Sequence, residues 1–276
     1  MIDVHTHIQF PAYDADRQSV IDRAVAAGVL KMIAVGTQAA TSRVAIDLSV
    51  ANPGSIWATV GFHPNHLDSA WYHDKKEIKD PLQEKFDIGI LAELARHPRV
   101  VAIGECGLDY YRLSPNSDSD PNLRMRQKEV FQGQIQLALE LKKPLMIHCR
   151  PTKGTDDAYE DLFGMLAQVT AIPRVIHFYV GSPRMTRRFL EAGFYFTFGG
   201  VVTFSRDYDE QISLIPMERI LSETDAPYVA PLAQRGKRNE PAFILETVAR
   251  LAEIKGVSVS EMERAIAENV RRVFAI

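Results

Sequence analysis

The sequence predicts an α/β fold, a single-domain (β/α)8 barrel of the TIM type spanning residues 1–276. Three observations predict it. Eight short runs along the chain are near-continuously apolar, as strands buried on both faces of a parallel sheet are. Segments of helix length separate these runs, and strict strand–helix alternation implies right-handed parallel crossovers. The 276 residues suit one such barrel, whose usual size is about 250. An open doubly wound sheet is the structural alternative.

The elements follow in order. Ile2-Asp3-Val4 is the first strand, with a helix expected over residues 15–27. Lys31–Val35 is the second, followed by a helix over 41–51. The third, fourth and fifth strands are expected at 56–60, 100–103 and 144–147. Before the fifth lies the clearest helix, 123–142. There Val130, Phe131, Gln134, Leu137, Ala138 and Leu141 keep the 3.6-residue period. The last three strands are expected at 174–176, 194–198 and 219–222, with helices over 157–166, 183–192 and 241–255. A final helix follows a capping box of Ser260 and Glu263. Two polar segments, 68–87 and 113–122, read as loops after strands three and four.

Composition narrows the function. At 46% hydrophobic and 24% charged residues the profile is that of an ordinary globular protein. No apolar run approaches the ~20 residues a bilayer needs. No basic-then-apolar leader precedes the first strand, so a cytoplasmic location without membrane contact is expected. Two cysteines, Cys106 and Cys149, are too few for a disulfide scaffold. By strand alternation they are expected as packed thiols turned away from the site. A net charge of −3 argues against a general nucleic-acid clamp but leaves room for contact with a phosphate end.

The reactive side chains fall at one kind of address. His5 and His7 are two apart in an extended segment, so they share a face and can grip one ion. His63, Glu105, His148, His177 and Asp225 each follow the apolar run of a later strand. In a parallel barrel these ends share the rim that carries active sites. Each residue alone has an ordinary reading as a loop, core or capping group. The joint placement does not. His66, His73 and His97 lie off the pattern and are assigned to surface loops or helix ends.

Four imidazoles, His5, His7, His148 and His177, with two carboxylates exceed the three protein ligands one catalytic zinc needs. The surplus suggests two divalent ions, about 3.5–4 Å apart. Glu105, with two oxygens, is the natural bridge, and Asp225 the natural base for a water. One ion would take His5, His7, Glu105 and Asp225, the other Glu105, His148 and His177. Imidazole favours Zn or Mn, whereas nucleases commonly use Mg.

The chain resembles the TatD family of metal-dependent deoxyribonucleases nearly end to end. The resemblance rests on Asp3-Val4-His5-Thr6-His7, Gly61-Phe62-His63-Pro64, Gly104-Glu105-Cys106-Gly107-Leu108-Asp109-Tyr110 and Ile147-His148-Cys149-Arg150. It extends to Glu223-Thr224-Asp225-Ala226-Pro227-Tyr228 and Arg235-Gly236-Lys237-Arg238-Asn239-Glu240-Pro241. The resemblance implies a TIM-type barrel and divalent metals on His5, His7, Glu105, His148, His177 and Asp225. It implies hydrolysis of phosphodiester bonds, commonly from the 3′ end. Some members of the family are linked to other substrates, including aminoacyl esters on tRNA, so substrate does not follow from fold. Two departures touch the pocket: His177-Phe178-Tyr179-Val180-Gly181 is bulkier than the family pattern, and Ser205 stands where a Lys is common.

Substrate contacts are expected from His63, Tyr110, Arg112, Arg150 and Arg238. Arg235, Lys237 and Arg238 form a basic loop after strand eight, and guanidinium forks match phosphate geometry. Tyr110 or Tyr111 could stack on a base, the other packing at the rim. The expected substrate is a nucleic-acid end or short single strand, acted on by a monomer. The alternatives are a small-molecule ester, amide or phosphoester hydrolase, and a non-catalytic metal-binding module.

Overall fold

The computed structural model describes residues 1–68, 74–77, 84–111, 113 and 122–276. Eight strands run in sequence order around one sheet. They are β1 (Ile2–Thr6), β2 (Lys31–Val35), β3 (Ile56–Val60), β4 (Val100–Asp109), β5 (Leu145–Arg150), β6 (Arg174–Ile176), β7 (Tyr195–Phe198) and β8 (Ile220–Ser222). Every consecutive pair is parallel. The helices between them are α1 (Arg17–Ala26), α2 (Ala39–Ala51), α3 (Ile88–Ala95), α4 (Leu123–Leu141), α5 (Asp157–Leu166), α6 (Pro183–Glu191) and α7 (Asp209–Leu214). After β8 come α8 (Ile244–Lys255) and α9 (Val259–Phe274), and α9 packs on α8, β8 and β1. The strands are buried nearly throughout, so the core lies inside the ring and between ring and helices. No helix among the described residues is long and apolar enough to cross a membrane.

The seam between β8 and β1 is closed largely by side chains. Ser222 Oγ donates to the Ile2 carbonyl at 2.9 Å. Thr224 donates to the Asp3 carboxyl twice, from its backbone N at 3.0 Å and its Oγ1 at 2.5 Å. Asp225 N reaches the His5 carbonyl at 2.9 Å. Burial pushes the Asp3 carboxyl up to about 8, against the hydrogen bonds from Thr224.

Three expectations change. Strand β4 does not stop at Ile103 but continues to Asp109, so Glu105 lies within it. Its register against β5 shifts between Ile103 and Cys106. The extension needs glycine: a Cβ on Gly107, at φ +140°, would sit 2.0 Å from the His148 carbonyl oxygen. The capping box of α9 is Ser258 with Glu261, two residues before the expected pair. The same Ser-x-x-Glu spacing occurs in both places, and the earlier start lets Met262, Ile266, Val270 and Val273 share the buried face. Helices α3 and α7 were not foreseen; at 8 and 6 residues they are too short to establish a period.

Candidate metal centre

Six residues expected to converge do so. His5 sits in β1 and His7 one residue beyond it, with their Nε2 atoms 3.2 Å apart. His5 Nε2 lies 3.4 Å from Glu105 Oε2 and 3.7 Å from Asp225 Oδ1. His7 Nε2 lies 3.6 Å and 3.4 Å from the same two oxygens. The other oxygen of Glu105 faces the far side. Its Oε1 is 3.1 Å from His148 Nδ1 and 2.8 Å from His177 Nε2. One buried carboxylate therefore separates two donor sets.

Hydrogen bonds behind the His7 and His148 rings fix which nitrogen faces inward. The Val35 carbonyl accepts from His7 Nδ1 at 2.8 Å, which leaves Nε2 with its lone pair toward the site. Asp109 Oδ2 takes His148 Nε2 at 3.0 Å, which leaves Nδ1. Glu223 Oε1 lies 3.7 Å behind His177 Nδ1. Glu223 also accepts from Phe178 N at 2.8 Å and from Thr197 Oγ1, so it braces the β6–β8 rim. Such carboxylates behind ligating imidazoles hold the tautomer and raise basicity.

His63 differs. Its Nδ1 accepts from Asn65 N at 3.2 Å, so Nε2 carries the proton. That N–H points at Glu105 Oε1, 3.2 Å away. His63 is thus placed as a donor into the site.

The electrostatics suit cations. Burial alone would raise the Glu105 carboxyl, yet the surrounding imidazoles, His177 foremost, hold it well below the usual carboxylate range. Burial is likewise outweighed at Asp225 by His7 and at Asp109 by His148, and both carboxyls are lowered. Burial favours neutral rings, but Asp225 and Glu105 raise His7, Asp109 and Glu105 raise His148, and Glu105 raises His177 well above normal. Burial dominates at His5 and His63, which are lowered. Inward lone pairs around ionised carboxylates fit divalent ions. The ligand atoms of His5, His7 and Asp225 lie within 4.8 Å of one another.

The site forms the floor of a cavity of about 800 Å³. His63 and Arg150 line it; Tyr110 and Arg238 do not. Tyr110 is fully buried, its hydroxyl donating to Asp161 at 2.9 Å beneath the Arg124 guanidinium. Arg238 is committed to Asp16, at 2.7 and 2.9 Å, to Glu240, to the Ala12 carbonyl and to the Tyr13 ring. Neither is free to meet a substrate. Arg112 and His73 lie outside the described residues. His66, expected on a surface loop, is buried and pairs with Glu77 at 2.9 Å on the cavity wall. Its 3-10 turn, Pro64–Leu67, folds inward behind His63. Cys106 and Cys149 are buried free thiols, and no cysteine joins a candidate ligand group among the described residues.

Asp109 and Glu223 were missed. Their signal was parity: Asp109 is four residues from Glu105 and Glu223 two from Asp225, the spacing that paired His5 with His7. Glu77 carries no such mark, since its loop sets its position.

A profile of the TatD related DNase family matches residues 2–275. An uncharacterized metal-dependent hydrolase, YabD of Bacillus subtilis, is 35% identical over 100% of this chain and 99% of its own. The 3′-5′ ssDNA/RNA exonuclease TatD of Pantoea vagans is 35% identical with 100% of each chain covered. Among solved structures, the TatD homologue YJJV of Escherichia coli superimposes with a TM-score of 0.81 at 25% identity, covering 100% of this chain and 98% of that one. Barrel, rim site and sequence agree: the chain belongs to the TatD-related DNase family of metal-dependent hydrolases.

Proposed function

We propose that the protein holds two divalent ions and removes nucleotides from the 3′ end of single-stranded DNA or RNA. The observation that carries this reading is Glu105, whose Oε2 faces His5 and His7 while Oε1 faces His148 and His177. His5, His7, Glu105 and Asp225 would hold one ion, and Glu105, His148 and His177 the other. Bound ions would supply Lewis acidity toward a phosphoryl oxygen and make a nearby water acidic.

The chain's own residues complete the chemistry. Asp225, ionised and at the cavity floor, takes the proton of the attacking water. The His63 Nε2–H donates to a phosphoryl oxygen, and burial keeps that ring neutral. Burial of His5, His7 and Glu105 limits stray water. Zn and Mn suit the imidazole-rich donor set better than Mg, and a monomer suffices for it. The exonuclease relatives support the substrate class.

A time course on an end-labelled single strand tests the reading. A ladder shortening from the 3′ end is expected, and scattered internal products would overturn it. A second reading, a small-molecule ester hydrolase, draws on the carboxylates Asp68, Asp74 and Glu77 on the cavity wall. A panel of small esters and lactones separates the two.

A further inference from the structure

The cavity is electrically lopsided. Asp68, Asp74 and Glu77 line it from the loop after β3. Asp74 accepts from the Tyr228 hydroxyl, on the loop after β8, at 2.9 Å. Glu77 bonds Thr37, on the loop after β2, and His66. These three carboxylates, none of them a candidate metal ligand, therefore close the half of the rim from β8 round to β3. The other half, β4 to β7, carries Arg150, Phe178 and Tyr208, and its carboxylates, Glu105 and Asp109, are taken up by the imidazoles of His148 and His177. Among the described residues lining the cavity, Arg150 supplies the permanent positive charge. Its guanidinium stacks 3.7 Å over the ring of Tyr111, which stands outside the cavity lining. Both residues are exposed, Tyr111 at 44%. Among the described residues no carboxylate pairs with Arg150, whereas Arg124, Arg184, Arg188 and Arg238 each have one.

A chain of phosphates is repelled by the acidic half and admitted by the cationic one. An aromatic face backed by a guanidinium is what an unpaired base and its phosphate require. We infer that Tyr111 and Arg150 form the subsite for the nucleotide next to the scissile bond, and that the strand leaves the cavity across the β4–β7 half. Tyr111 offers its outer face to the base, and Arg150 reaches the adjoining phosphate. The acidic half is the closed end, where only a terminal nucleotide fits. This rests on the phosphodiesterase reading above and adds a direction to it.

The test uses the whole protein and a short single-stranded phosphorothioate oligonucleotide with 2-aminopurine next to its 3′ nucleotide. Binding should quench the fluorophore. Tyr111→Ala should abolish the quench and weaken binding about tenfold, while Tyr111→Phe should keep both. Arg150→Gln should weaken binding and lower the salt slope by about one charge. Arg187→Ala removes an equal charge from the exposed face of α6 and should do neither. A quench that survives Tyr111→Ala, or an unaltered slope in Arg150→Gln, would overturn the subsite. Failure of the wild-type protein to cleave any unmodified oligonucleotide would instead overturn the phosphodiesterase reading.

Discussion

Asp109 decides which nitrogen His148 shows to the site. With Nε2 held 3.0 Å from Asp109 Oδ2, the ring turns Nδ1 to Glu105. Asp109→Ala should therefore weaken metal binding about 10–100-fold without unfolding the barrel. Competition with a chelating dye measures it, and circular dichroism checks the fold. Unchanged affinity would show that His148 needs no such brace.

Asp225→Asn should preserve the fold and nearly abolish turnover, because an amide cannot accept the proton of the attacking water. Near wild-type activity in the purified, metal-loaded variant would remove Asp225 from the role of base.

Metal uptake should release protons. In the metal-free protein His7, His148 and His177 are held above their ordinary values, chiefly by Asp225, Asp109 and Glu105 working against burial. They therefore hold their protons to higher pH than a free imidazole does, and a ligating imidazole must be neutral. Affinity should accordingly fall as pH drops, beginning above the ordinary imidazole range. Calorimetric titration in buffers of different ionisation heat reads the proton count, and a count of zero at pH 7 would contradict the charge state described.

Gly107→Ala should destabilise the protein by roughly 2–4 kcal/mol, since the residue has φ +140° and a Cβ would meet the His148 carbonyl. Urea unfolding measures the loss. Metal affinity should fall with it, because the same backbone carries His148.

Arg238→Ala should cost stability, about 1–2 kcal/mol, and leave the KM for an oligonucleotide unchanged. Its guanidinium ties the loop after β8 to Asp16 and Tyr13 and does not face the cavity. A raised KM in a stably folded variant would restore it to substrate binding.

Repetition decided what could be read from the sequence. His5, Glu105, His148, His177 and Asp225 were legible because each follows an apolar run, and parallel strands bring such positions to one rim. Arg238 was misread because charge runs do not reveal their partners: its acids come from α1's entry and from two residues onward. Tyr110 was misread because the buried ring and Tyr111 at the surface belong to consecutive residues. His66 was misread because a 3-10 turn has no period to announce its inward face. The extension of β4 past Gly104 was hidden by the glycines that make it possible.

The seam between β8 and β1 gives the metal centre a second meaning. Asp3 and Thr224, 221 positions apart, clasp the two ends of the barrel. His5 and His7 lie just beyond one side of that clasp, Asp225 just beyond the other. The donors on β4, β5 and β6 come from neighbouring strands and can assemble early. The donors at the seam meet only when the first strand finds the last. An ion held there would be a rivet between the first strand and the last, and its binding would report that the ring of strands has been wound shut.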